Sequence, residues 1–200
     1  MSRVFTEGKL ELTFDDTWTV QKWDDEPAYR DGIGRLARTR AVDFCGIRKG
    51  TLFILEVKDF RGSRIVNKPR LRELDVPDVA PGDAPAKGEM EPLAEEIAWK
   101  VRDTIAGMVG ARRCRLTEEH HWKPVLQALG DPTTALHIVL WLEEDFPRSP
   151  QQTSTLQENL RKKLAWLTTK VLVSSHKDQR SIPLGVQVRN LPGAGMGVNR

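Results

Sequence analysis

Apolar residues alternate with polar ones at Leu10, Leu12 and Phe14, a period of two that predicts a strand over residues 9–14. A second β-like run at residues 18–23 follows the turn residues Asp15 and Asp16, and the two runs are expected to pair as a first β-hairpin. Residues 24–40 mix acids, a proline and two glycines, which allows at most a short, interrupted helix. Residues 42–47 and 52–57 are rich in β-branched and aromatic side chains, and Lys49-Gly50 between them suits a tight turn, so a central β-hairpin is predicted. Beyond it, residues 75–92 collect prolines, glycines and acids and read as a flexible loop. Leu93, Ile97, Val101, Ile105 and Met108 recur at spacings of three and four, predicting the strongest helix of the chain over residues 91–113. Residues 133–142 form an apolar run with the look of a buried central strand. Leu156, Leu160, Leu164 and Leu167 mark an amphipathic helix over residues 154–167, and residues 171–174 and 184–188 read as short strands. This order predicts an α/β fold: a mixed central β-sheet flanked by helices, with an N-terminal β-hairpin and a C-terminal helix–strand addition. One domain is expected over residues 1–192, with a disordered tail at 193–200.

Composition narrows the class without naming a function. Hydrophobic residues make up 39% and charged residues 30% of 200, ordinary for a globular domain. The net charge of +3 permits local nucleic-acid contacts and does not by itself argue for them. Two cysteines build no disulfide framework. The first residues lack the apolar core of a signal peptide, and the apolar run at 136–142 is too short to cross a bilayer. The expectation is a cytoplasmic protein with no membrane partner.

Register arithmetic on the central hairpin supplies the candidate chemistry. With Lys49 and Gly50 as a two-residue loop, Arg48 faces Thr51 and the ladder brings Asp43 opposite Glu56. Opposed residues share a sheet face with Cβ atoms about 4.5–5.5 Å apart. Lys58 falls on the same face as Glu56, because side chains alternate. Two carboxylates side by side on an apolar strand pair repel unless a cation neutralises them, and Mg²⁺, or Mn²⁺ in its place, suits a pair of carboxylates completed by water and phosphate oxygens. Lys58 would then stabilise charge on a phosphate or assist the attacking water.

Asp43, a gap of twelve residues and then Glu56-Val57-Lys58 at the end of an apolar strand resembles the signature of the PD-(D/E)XK nuclease superfamily, the restriction-endonuclease-like fold. The resemblance implies a metal-dependent endonuclease, most readily of DNA with RNA also open. It implies that Asp43, Glu56 and the Val57 backbone carbonyl bind metal while Lys58 acts near the water. Val42 stands where the name puts a proline, and no helix is predicted before the hairpin to carry the further glutamate that many members add. Glu26 is the first choice for that third acid, with Glu11 and Asp25 behind it.

Arg61, Arg64, Lys68, Arg70 and Arg72 follow the proposed site directly, and such a run suits contacts to a nucleic-acid backbone. Lys100 is an accessory candidate on the long helix. His120 and His121 have no zinc-ligand spacing around them, and Ser174, Ser175, His176 and Asp178 lack a nucleophile elbow. A homodimer or a recognition partner would supply target selection. The other reading, from a different class, is a non-catalytic nucleic-acid-binding or protein-interaction module that retains the nuclease fold.

Overall fold

The structure, a computed structural model, describes residues 2–71, 91–114, 122–146, 148–178 and 185–191. Its strands are β1 (Arg3–Glu7), β2 (Leu10–Phe14), β3 (Thr19–Lys22), β4 (Phe44–Arg48), β5 (Thr51–Asp59), β6 (Ala135–Glu143), β7 (Val171–Ser174) and β8 (Val186–Asn190). Its helices are α1 (Pro27–Arg30), α2 (Arg64–Asn67), α3 (Leu93–Cys114), α4 (Trp122–Gly130) and α5 (Pro150–Leu164). A mixed five-stranded sheet runs in the order β3-β4-β5-β6-β7, and a separate antiparallel sheet runs β1-β2-β8. The fold is therefore α/β, with helices on the large sheet.

Period-two alternation in β5 explains the layering. Leu52 and Ile54 point into an apolar cluster with Ile97, Val101, Leu156 and Leu160 of α3 and α5. Phe53, Leu55 and Val57 point into another cluster, shared with Leu10, Leu12 and Phe14 of β2 and with Val186 and Val188 of β8. The large sheet thus lies between helices and the small sheet, and β5 and β6 are buried on both faces, which is why they read as near-continuous apolar runs. β3, β4 and β5 form an antiparallel meander, after which β6 pairs parallel to β5 and β7 parallel to β6. Gly50 takes φ +70° in the β4–β5 turn, the left-handed region glycine tolerates best.

The expected first hairpin is corrected. β2 pairs with β1 and β8, whereas β3 pairs with β4 in the other sheet. The turn at Asp15 and Asp16 therefore carries the chain between sheets, with Asp15 N–H bonded to the Gly185 carbonyl at 3.3 Å. The short helix α1 and a 3₁₀ turn at Ile33–Arg35 agree with the interrupted segment expected there. α5 begins earlier than its leucine spacing suggested, because Ser149 and Gln152 form a capping box and Pro150 takes the first turn. α4 carried no expectation. The proposed loop at 75–92 lies outside the described residues except for its last two positions, and the tail lies wholly outside them. Among the described residues, no helix is long and apolar enough to cross a membrane.

Gly46 sits opposite Phe53, whose ring stacks on Phe14 at 5.5 Å and meets Trp18 edge-on at 4.7 Å. A Cβ on residue 46 would lie 2.2 Å from the Phe53 ring, which those neighbours hold in place. Gly46→Ala is expected to destabilise the protein by about 1–3 kcal/mol. Urea titration checks this, and an unchanged midpoint would show that the aromatic layer yields freely.

Candidate functional site

The β4–β5 pairing runs Phe44↔Leu55 to Arg48↔Thr51, so one further step sets Asp43 across from Glu56 on the helix-facing side. Asp43 is held there by its neighbours. Trp23 N–H donates to the Asp43 carbonyl at 2.8 Å, extending the β3–β4 ladder. Val42 N–H donates to Thr104 Oγ1 at 3.1 Å and Arg40 N–H to Asp103 Oδ2 at 3.2 Å, which ties this segment to α3. The Val57 N–H donates to Asp43 Oδ2 at 2.7 Å.

Both carboxylates are buried, with Asp43 7% and Glu56 2% exposed. Burial first, and then the Glu56 charge, push the Asp43 carboxyl up to about 8, while Lys100 and the Val57 N–H oppose the rise without cancelling it. Glu56 Oε1 receives two ammonium groups, Lys100 Nζ at 2.5 Å and Lys58 Nζ at 3.0 Å. Glu56 Oε2 is buried with no hydrogen-bond partner among the described residues. Lys58 Nζ also lies 2.8 Å from Glu96 Oε1, and Arg70 pairs with the other oxygen of Glu96.

Two further acids gather beside Asp43. Carboxylate oxygens of Glu7, Asp24 and Asp43 all lie within 4.8 Å of one another, a set able to hold a metal ion. Glu7 ends β1 in the small sheet, and Asp24 follows β3 in the large one. Lys22 Nζ bridges their rim, 3.0 Å from Glu7 and 3.1 Å from Asp25. Burial alone would lower the Lys22 ammonium, but hydrogen bonds to Glu7 and Asp25 outweigh it and leave it above its ordinary value. Burial raises the Asp24 carboxyl to about 6, with Lys22 pulling the other way. Asp24 Oδ1 is a further buried oxygen without a hydrogen-bond partner among the described residues.

Asp43, Glu56 and Lys58 thus come together as their register suggested, and Lys100, an accessory candidate only through the resemblance, reaches Glu56 as well. Glu26, expected as a further acid, does not join the acids grouped with Asp43. Glu26 stands at the start of α1, where its carbonyl accepts from Tyr29 and Arg30, and Glu11 pairs with Arg189 on the small sheet. Glu7 and Asp24 take the place beside Asp43. Nothing in the local sequence marks Glu7, because its approach depends on how the two sheets pack. Of the basic run, Arg61 is bound by Asp59 at 2.7 and 2.6 Å, Arg70 pairs with Glu96, and Lys68 is exposed. Arg64 begins α2, its side chain outside what the structure describes, and Arg72 lies outside the described residues. Comparison of the chain with protein-family models, with curated proteins and with solved structures found no match.

The raised Asp43 carboxyl has a signed consequence. Its folded value of about 8 exceeds the ordinary 3.8, so the folded metal-free protein binds the extra proton and loses stability as pH rises through this window. Asn at this position keeps an oxygen to accept from Val57 and cannot ionise. Asp43→Asn is therefore expected to raise the Tm of metal-free protein by several degrees at about pH 8 and to change it little at about pH 3.5, below the ordinary 3.8. Thermal melts across that range check the sign, and an equal effect at both ends would contradict the raised value.

Proposed function

We propose that the protein is a divalent-metal-dependent phosphodiesterase of restriction-endonuclease-like type that cuts nucleic acid, most readily DNA. The observation that carries this reading is the buried opposition of Asp43 and Glu56, with Lys58 Nζ 3.0 Å from Glu56. The antiparallel meander β3-β4-β5, followed through α3 by the parallel strand β6, supports it as an order of elements.

The donor set fits a hard cation. Glu7, Asp24 and Asp43 offer oxygen only, Glu56 and the Val57 carbonyl would add oxygen from β5, and Glu56 Oε2 and Asp24 Oδ1 are buried atoms with no hydrogen-bond partner among the described residues. Mg²⁺ or Mn²⁺ bound there would polarise a phosphate oxygen and lower the pKa of a bound water. The chain's own residues supply the rest. Lys58, fixed between Glu56 and Glu96, acts as a cation against negative charge developing on the phosphate. Glu96 positions that ammonium, and Lys100, meeting the same Glu56 oxygen from α3, orients the carboxylate. Lys68, and Arg70 when it leaves Glu96, meet the flanking backbone.

The internal ion pairs favour a second reading. Lys22, Lys58 and Lys100 already offset the acids, as a non-catalytic module that retained the fold would require. Metal-dependent melting separates the two. A divalent site of useful affinity raises stability by about 2.7 kcal/mol at a metal concentration of 100 Kd. That gain is expected in the wild type and is expected to shrink in Glu7→Gln, Asp24→Asn and Glu56→Gln, whereas a module shows no gain.

Activity is tested with purified protein on supercoiled plasmid, linear duplex, single strands and RNA, with Mg²⁺ or Mn²⁺. Cleavage is expected to fall by about 10²–10³ in Glu56→Gln and in Lys58→Ala. Cleavage that survives both changes would place the activity elsewhere.

A further inference from the structure

A cleft of about 320 Å³ opens at the carboxyl ends of β6 and β7, against the first turn of α5. Ligands of open α/β sheets bind at this end of the strands. Leu142 and Val173 give the cleft apolar walls. Beside them Glu143, 1% exposed, accepts from Trp141 Nε1 at 2.8 Å and from the His176 N–H at 2.8 Å, while its other oxygen holds His176 Nδ1 at 2.5 Å. With both oxygens engaged, the carboxylate fixes the imidazole as a rigid polar wall.

Both fixed cations of the wall are matched by acids. Arg148 Nε is bound to Glu144 at 2.6 Å, and Lys177 stands beside Asp178. Glu143 is already satisfied by the Trp141 and His176 donors. No excess positive charge remains to favour a free phosphate or carboxylate, so the fitting ligand carries no negative charge, is flat enough to lie on apolar walls and is equipped with hydrogen-bonding edges. Phe146 lines the same cleft with 61% of its surface exposed, an aromatic face on which a base can stack. The volume lies at the lower end of ligand pockets, roughly 300–1,000 Å³, room for one nucleobase.

The cleft also lies beside the proposed catalytic site. Glu56 pairs with Leu140 and Lys58 with Leu142, the first cleft residue on β6, so it begins two residues further along the sheet, on the order of 7 Å from the Glu56 position. The loops after β5 and β6 are joined by Phe60 N–H to the Glu143 carbonyl at 2.8 Å and by Gly62 N–H to Asp145 Oδ1 at 2.9 Å.

We infer that this cleft receives an unstacked nucleobase of the substrate, stacked on Phe146 with its edge against His176 and the Ser175 hydroxyl; the inference rests on the nucleic-acid reading of the Asp43–Glu56 site. A base inside closed duplex cannot reach such a pocket without being extruded. The substrate class is therefore single-stranded or locally opened nucleic acid.

Nuclear magnetic resonance of ¹⁵N-histidine-labelled protein, titrated with adenosine, cytidine, ribose 5-phosphate and inorganic phosphate, tests the pocket. Nucleosides are expected to shift the His176 ring signals, and ribose 5-phosphate and phosphate to leave them in place. In EDTA, Phe146→Ala and His176→Gln are expected to weaken binding of a single-stranded oligonucleotide by about tenfold and of closed duplex by less than about twofold. A shift with phosphate alone would make the cleft an anion site and overturn the inference, as would unshifted signals or unchanged affinities. Plasmid cleavage measured on the same proteins separates the two claims. Cleavage with unaltered single-strand binding in both variants removes the base pocket alone, and nucleoside shifts without Mg²⁺-dependent cleavage remove the nuclease reading alone.

Discussion

Two carboxyl groups opposed across an antiparallel strand pair and shielded from water cannot both ionise without strong repulsion, and much of the surrounding structure is arranged to offset the charge they carry. Glu56 is met by Lys58 from its own strand and by Lys100 from α3, and Asp43 is met by the Val57 N–H. The compensation dictates how α3 must lie. Glu96, Lys100, Asp103 and Thr104, spaced as i, i+4, i+7 and i+8, form a polar stripe on the buried side of that helix. Beside it run Leu93, Ile97, Val101 and Met108, which bury the apolar half of the same face. Rotating α3 by one residue would move both stripes off their partners together.

The aromatic layer on the other side of the large sheet gives the hairpin its rigidity. Phe5, Phe14, Phe44 and Phe53 pack with ring centroids 5.3–5.9 Å apart between the two sheets. Gly46 leaves the space into which Phe53 lies. The register that opposes Asp43 to Glu56 is thus pinned by packing on the face away from the site. A slip of one residue would expel the aromatics from that layer and send the acids into it.

How much of this the sequence discloses follows from the range of each interaction. The central hairpin, the long helix and the buried strand β6 are written in local periodicity, and register arithmetic over fourteen residues was enough to bring Asp43 to Glu56. Interactions between sheets carry no such trace. Leu10, Leu12 and Phe14 alternate equally well whether β2 pairs with β3 or with β1, and only the packing of Phe14 on Phe53 decides for the separate sheet. Glu7 was hidden for the same reason, since it reaches Asp43 from the end of a strand in the small sheet. Asp24 stood one residue from an acid already under consideration, and its side chain, unlike that of Asp25, joins the cluster because Trp23 keeps the chain on the β4 ladder for one more step. α4 is short, with a proline at its third position, too little pattern to separate it from a loop.

The charge balance of the cluster joins the two functional readings. Glu7, Asp24, Asp25, Asp43, Glu56 and Glu96 meet Lys22, Lys58, Lys100 and Arg70, and with the Asp43 carboxyl at about 8 that acid keeps its proton near neutral pH, leaving the group with a small excess of negative charge without any metal. A divalent cation therefore competes with one proton on Asp43 and with the lysines around it. The geometry leaves the competition open on one side. Both lysines that reach Glu56 converge on Oε1, while Oε2 is left buried without a hydrogen bond among the described residues, a cost in a protein interior that an incoming cation would relieve. A module that had abandoned chemistry gains nothing from keeping that oxygen unsatisfied, and could exchange Glu56 together with its two lysines for apolar residues at little cost. The unsatisfied oxygen on Glu56, more than the number of acids around it, is what the proposed metal site rests on.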